Sequence, residues 1–234
     1  MTGTLINVGT ILTGGLLGMI LGSKLKDRLK QTVVNGLGLF TFSYAISLFL
    51  KTDNALIVLG SLLIGMLLGE WWRIEDGLTQ LGVRLEARFN KNNGVEGSAK
   101  FIKGFLTSTL LFIIGPMAIL GSIQDGLTGN FDTLLVKAIL DGFAAMAFAS
   151  SLGVGVLFSA IPVLLYQGGI TLLAQQVEKI ATAAMMNELT ATGGVILAGL
   201  AISNILEIKK IRTGSFLPAL LIAPLIVFII SLIK

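Results

Sequence analysis

Cysteine and histidine are absent from this chain, and charge is scarce: only 13% of its 234 residues are Asp, Glu, Lys or Arg. The first two absences exclude disulfide frameworks, thiol nucleophiles, Cys/His zinc sites, haem attachment and an imidazole general base. The third excludes an ordinary soluble domain, in which about a quarter of the residues are charged. Enzyme motifs are missing as well. There is no P-loop, no Gly-x-Ser-x-Gly elbow, no His-based metal motif and no pair of carboxylates in a soluble cleft, and Gly153-Val154-Gly155 alone is too short to mark a dinucleotide site. The chain is therefore expected to be neither an enzyme nor the ATP-hydrolysing part of a pump, and to need no metal or cofactor.

What remains is apolar. Hydrophobic residues make up 54% of the chain and the mean hydropathy is +0.89. Crossing a hydrocarbon core of about 30 Å takes about 20 residues of helix. Eight stretches qualify, at about 4–22, 33–50, 54–71, 103–121, 132–150, 152–174, 190–207 and 215–233. The first has no basic leader and no cleavage site after it, so it reads as a retained span. The expected fold is thus an all-α polytopic membrane protein of about eight transmembrane helices in a single membrane domain, with the lipid bilayer as its principal partner.

The net charge of +4 does not point to nucleic acid, because the charges belong to the loops. Lys24, Lys26, Arg28 and Lys30 fall between spans one and two. Arg73, Arg84, Arg88, Lys91, Lys100 and Lys103 fall between spans three and four, and Lys209, Lys210 and Arg212 between seven and eight. An even count of spans puts these thirteen of the seventeen basic residues on one side, against Lys51, Lys179 and Lys234 on the other. By the positive-inside rule the thirteen face the cytoplasm and both termini lie outside. A seven-span alternative without the fifth stretch would scatter them.

The largest polar piece is the insert 72–102. Ile74, Leu78, Leu81, Leu85 and Phe89 recur there at helical spacing, which predicts an amphipathic helix on the inner surface beside Trp71 and Trp72, then a loop at Asn90–Ser98. A second amphipathic stretch, 175–189, is expected on the outer face.

A small-x4-small-x3-small pattern recurs as Gly9/Gly14/Gly18, Gly60/Gly65/Gly69 and Gly194/Gly199/Ser203. At about 100° per residue the last two positions share a face and the first lies nearly opposite, so each helix is expected to take close neighbours on two sides. All three copies fall in spans of one orientation, which suggests parallel internal repetition. Span five carries a weaker fourth copy, Thr133/Ala138/Gly142. The small-residue faces also suit a homo-oligomer.

The weak copy is where charge enters the membrane. Lys137 and Asp141 sit one helical turn apart in an otherwise apolar segment, and a charge at mid-bilayer costs at least ~2.5–3.5 kcal/mol unless it is paired or wet. They read either as a structural ion pair or as a site for an ion, proton or substrate. Gly115-Pro116 near the end of span four suggests a broken helix with Asp125 at its mouth, and Pro162 with Tyr166-Gln167-Gly168-Gly169 suggests another in span six. Asn7, Asn35 and Asn204 are read as interhelical ties, and Asn204 also as a candidate lining residue. The candidate pathway is therefore Lys137, Asp141, Gly115, Pro116, Asp125, Gln167 and Asn204.

Several of these segments resemble an uncharacterised bacterial membrane family of the YdfK/YqgA type, domain of unknown function 554. They are Asn7 with the Gly-rich first span, the run Gly115-Pro116-Met117-Ala118-Ile119-Leu120-Gly121-Ser122-Ile123-Gln124-Asp125-Gly126, Lys137 with Asp141-Gly142, Tyr166-Gln167-Gly168, Gly193-Gly194 and Leu217-Pro218-Ala219-Leu220. The resemblance covers essentially the whole chain and implies a bacterial inner-membrane protein. It implies no reaction. The expected function is a secondary transporter or channel-like permease for an ion or small polar solute. The alternative is a non-transporting scaffold or sensor subunit acting through the 72–102 insert, with a membrane-embedded enzyme third.

Overall fold

The computed structural model describes residues 1–89, 94–179 and 181–233, and among these it is helical throughout, with no strand. Apolar surroundings leave backbone N–H and C=O groups no partner except one another, which is why a membrane-spanning chain of this composition folds into helices. The elements are α1 (Thr2–Lys24), α2 (Asp27–Phe49), α3 (Ala55–Trp71), α4 (Ile74–Phe89), α5 (Gly94–Ile114), α6 (Pro116–Thr128), α7 (Asp132–Leu152), α8 (Ala160–Leu172), α9 (Ala174–Glu178), α10 (Ala183–Leu200) and α11 (Ala219–Ile233). A 3₁₀ segment, Gly153–Ser159, joins α7 to α8; a π turn, Ala201–Ile205, ends α10; and a 3₁₀ turn, Thr213–Phe216, precedes α11.

By length and apolarity six helical runs among the described residues are fit to cross a membrane, or seven if α3 and α4, bent by 54° at their junction, count as one span. One of the six is the 41-residue run Asp132–Leu172. Straight, it would be about 60 Å long, twice the bilayer core. It folds back on itself instead. A Cβ on Gly14, Gly18 or Gly22 would run into Gly142, Met146 or Ser150 in that order, so α1 and α7 are parallel. Gly15 meets Leu157, Asn7 meets Gln167 and Thr4 meets Thr171, so α8 returns antiparallel. The reversal falls at Gly153, whose φ of +75° is a conformation that suits glycine. Divided there, the run gives two segments, so the expectation of about eight spans stands as an approximate count against the six or seven that length and apolarity support among the described residues.

The remaining pairs follow the same alternation. Gly194 lies against Ala45 while Gly38 lies against Leu206, so α2 and α10 are antiparallel. Gly65 against Ala219 and Gly69 against Ser215 make α3 and α11 antiparallel. One end of the bundle consequently gathers the basic loops. Lys30 meets Ser151 there, Lys103 pairs with Glu207, and Arg212 pairs with Glu70 and Asp76. At the opposite end Gly3 meets Asp125, and Glu188 holds the turn at 52–54.

Four expectations are corrected. Two of the three Gly patterns do not pack on two sides: nothing lies within 4 Å of a Cβ on Gly9, and Gly60 makes only an ordinary 3.9 Å contact, whereas Gly14 and Gly18 face carbonyl oxygens at 2.2 and 2.1 Å; the third does, with Gly194 against the Ala45 carbonyl at 2.6 Å and Gly199 3.1 Å from Thr213. Span six has no interruption at Tyr166–Gly169. The helix α8 is continuous across it, because glycine without a positive φ keeps the helical hydrogen bonds that an apolar setting demands, and Pro162 sits in the first turn, where its missing N–H matters little. The stretch 175–189 is not one surface helix. It breaks after α9, and its second half enters the bundle with Glu188 only 1% exposed, since that carboxylate accepts from Thr52, Asp53 and Asn54. The loop at Asn90–Ser98 lies at 90–93 outside the described residues, and from Gly94 onward the chain is already helical.

The amphipathic α4 is present, with Trp71 and Trp72 exposed before it. It folds back on α5, where Gly82 faces Phe105 and Ile102. Broken-helix geometry is realised in span four. The helix α5 stops at Ile114, Gly115 is extended, and Pro116 opens α6, which runs on to Thr128.

Two outcomes test this architecture. Gly18→Ala puts a methyl onto the Met146 carbonyl and should destabilise by about 1–3 kcal/mol or more, whereas Gly9→Ala should be neutral or slightly stabilising; thermal unfolding in detergent compares them. Because the chain has no cysteine, Lys26→Cys and Asn130→Cys can be labelled singly in intact cells and in inverted vesicles, and an impermeant maleimide should reach them from opposite sides.

Candidate functional site

Helical spacing places Lys137 and Asp141 on one face of α7, turned into the bundle. Lys137 Nζ forms an ion pair with Asp141 Oδ2. The Nδ2 group of Asn7, on α1, donates one hydrogen to Asp141 Oδ2 and the other to Gln167 Oε1 on α8, both at 3.0 Å. All four residues are buried: Asn7 and Gln167 are 0% exposed, Lys137 5% and Asp141 8%. Lys137 Nζ also lies 5.9 Å from the centroid of the Phe112 ring on α5, within range of a cation–π contact. The cluster is electrically neutral yet incompletely satisfied, since Asn7 Oδ1 and Gln167 Nε2 have no protein partner. Buried polar atoms are paired in the great majority of cases, and each orphan costs about 1–3 kcal/mol.

From this cluster a line of buried polar groups continues along α1 and α8 toward the less basic end. Thr171 donates to the Gln167 carbonyl at 2.8 Å, and its hydroxyl lies 3.4 Å from that of Thr4. Asp125 accepts from the Gly3 N–H at 3.0 Å and is itself 5% exposed. Gly121 beside Leu134, and Gly126 beside Thr171, hold α6 against the same seam. The break at Gly115-Pro116 lies between Phe112, which faces Lys137, and Gly121, so it stands at the level of the ion pair. Pro116 has no N–H, and Ala118 donates to Gly115, which leaves the carbonyls that end α5 short of their helical donors at that depth.

Of the seven expected residues, the structure brings Lys137, Asp141 and Gln167 together, sets Gly115 and Pro116 at their level, and puts Asp125 at the far end of the same polar line. Asn204 is elsewhere. It sits in the π turn and lines a separate cavity of about 720 Å³ at the basic end, with Glu75, Asp76, Lys103, Glu207 and Arg212. There Glu75 accepts the Gly214 N–H at 2.6 Å; burial pushes its carboxyl above the usual range, partly offset by that hydrogen bond and by Arg212. Asn7 was underestimated by sequence reasoning. The signal was an amide seven residues into an otherwise apolar helix, but only contact with two partner helices makes it the hub. Thr4 and Thr171 gave no signal, because threonine in a membrane helix ordinarily bonds its own turn.

Six or seven helical runs fit to cross a membrane among the described residues, with an ion pair buried between them, define a polytopic helical membrane protein. The comparisons agree. Residues 2–228 match the model of a family described as a protein of unknown function, DUF554. The chain is 32% identical over 234 residues to Uncharacterized membrane protein YdfK of Bacillus subtilis (strain 168), covering 98% of this chain and 97% of that one. It is 31% identical over 221 residues to Uncharacterized protein YqgA of Escherichia coli (strain K12), covering 94% of each. No solved structure matches. The chain belongs to the DUF554 family.

The ion pair predicts an asymmetry in stability. Lys137→Met should cost about 3–5 kcal/mol, because it strands a buried carboxylate, while Lys137→Met combined with Asp141→Leu should recover much of that loss. Thermal unfolding of the two variants in detergent reads the difference.

Proposed function

We propose that this protein is a secondary transporter or channel-like permease for an ion or small polar solute, not an enzyme, and that its site is the cluster of Asn7, Lys137, Asp141 and Gln167. One observation carries the reading: a neutral but unsatisfied polar cluster, continued by Thr4, Thr171 and Asp125, occupies the interior of a membrane bundle beside a broken helix. Intramembrane ionisable groups are costly and commonly mark ion, proton or substrate pathways, and broken helices at membrane depth are a recurring feature of transporter sites. With the cluster closed to both ends, this conformation corresponds to an occluded state. On this reading the bundle sits in the bacterial inner membrane with its basic end toward the cytoplasm and both termini outside.

A scaffold or sensor acting through the 72–102 insert draws less support, because α4 is occupied by its own chain through Gly82, Glu75 and Asp76. A homo-oligomer formed through small-residue faces belongs to the same proposal as a secondary feature. The Gly14/Gly142 seam is already used within the chain.

The reading is tested with purified protein in proteoliposomes, loaded with dyes for H⁺, Na⁺ and K⁺ and assayed against a panel of radiolabelled small solutes. The wild type should move at least one of them, and Asp141→Asn should abolish that movement while eluting from size exclusion as the wild type does. A folded Asp141→Asn variant with undiminished flux, or a wild type inert to the whole panel, overturns it.

A further inference from the structure

Thr171, Thr4 and Asp125 link the interior cluster to one end of the bundle, and the basic end lies on its other side. Helix α5 spans that gap. At its basic end Lys103 and Leu106 line the 720 Å³ cavity with Asn204 and Glu207. Further along, Phe112 faces Lys137. The six steps from Leu106 to Phe112 cover about 9 Å of rise. Within that stretch stand Thr107, Ser108 and Thr109, three successive hydroxyl residues that are 0%, 0% and 1% exposed. Each of the three hydroxyl oxygens lacks a hydrogen-bond partner, even the carbonyl of its own preceding turn, and so does Thr192 on the adjoining α10. Serine and threonine in helices ordinarily bond that carbonyl, as Thr13, Ser61 and Thr171 do here. Three consecutive orphans on one helix are unusual for a sealed contact, whereas buried polar atoms without protein partners are where internal water is held.

We infer that the ion moved or coupled by the proposed transport is a proton, and that it reaches Asp141 from the basic-end cavity along water held by Thr107, Ser108 and Thr109 of α5. The inference rests on the transport reading and names its substrate. A proton requires no cavity at its acceptor, which fits a cluster enclosed by α1, α5, α7 and α8 whose residues are at most 8% exposed. The step balances simply. Hydronium on the α5 side gives its proton to the Asp141 carboxylate and becomes water, and no electrons move. The ion pair thereby becomes a neutral carboxyl beside Lys137, whose ammonium stays over the Phe112 ring with the net positive charge. Release reverses the transfer to water held by Asn7 Oδ1 and Gln167 Nε2, on the side that leads past Thr4 and Thr171 to Asp125. The groups facing Asp141 are Lys137 from its own helix, Asn7 from α1 and Phe112 from α5 beside Lys137, with Gln167 of α8 reached through Asn7; no further ionisable side chain is recorded against it among the described residues.

The experiment uses the full chain in proteoliposomes with trapped pyranine, driven by a potassium diffusion potential with valinomycin, and a sodium-sensitive dye in a parallel set. The wild type should carry protons. The combined variant Thr107→Val, Ser108→Ala, Thr109→Val should lower that flux at least about tenfold with unchanged elution on size exclusion, and Asp141→Asn should reduce it to that of protein-free vesicles. If the combined variant does not fold, Ser108→Ala and Thr109→Val are read singly, and each should lower the flux. Proton flux that survives loss of the hydroxyls overturns the route. Movement of sodium or another solute without protons overturns the proton assignment and leaves the transport reading standing. A wild type that moves nothing in the panel overturns both.

Discussion

At Gly14 and Gly18 no side chain separates α1 from α7: the two glycines lie directly against the carbonyl oxygens of Gly142 and Met146. In lipid no hydrophobic force drives helices together, so close backbone approach, dispersion and interhelical hydrogen bonds must hold them. This seam supplies all three. It also sets the distance at which Asn7 on one helix reaches Asp141 on the other, and the parallel course of the two helices fixes that the meeting occurs inside the membrane. Were the seam wider by a methyl group, the amide would fall short of the carboxylate and Lys137 would be the sole partner of a buried charge.

The polar interior follows from that placement. An ion pair buried by itself seldom repays its desolvation, and here the surrounding groups share the burden. Asn7 adds a donor to the carboxylate, Phe112 offers its ring face to the ammonium, and Gln167 ties α8 into the same cluster. The orphaned atoms at Asn7, Gln167 and along α5 show that the arrangement is not optimised for stability alone. At the basic end the chemistry is of a different kind. Arg212 with Glu70 and Asp76, and Lys103 with Glu207, tie the connecting segments across the bundle at a half-exposed surface, where each such pair adds little by itself.

Much of the architecture was legible in the order of residues. The apolar helical character of the chain, the Gly115-Pro116 break and the amphipathic character of α4 depend on local hydropathy and the geometry of proline, and each holds in the fold. The misreadings share a cause. Gly168-Gly169 looks like a break, yet stays helical because nothing at that depth offers the backbone another hydrogen bond. The stretch 175–189 looks like a surface helix because Glu188 is polar, but the N–H groups of the 52–54 turn give its carboxylate a buried partner that is distant in sequence.

The same division runs through the candidate site. The sequence by itself determined that Lys137 and Asp141 share a helical face inside the membrane, because a four-residue spacing is a property of one helix. Tertiary structure alone decided that the pair is closed by Asn7 and Gln167, that Thr4 and Thr171 extend it toward Asp125, and that Asn204 belongs to a different cavity. Those relations join residues 134, 160 and 167 positions apart, and such separations are set by which helix backbones come within reach of one another, which no local pattern encodes.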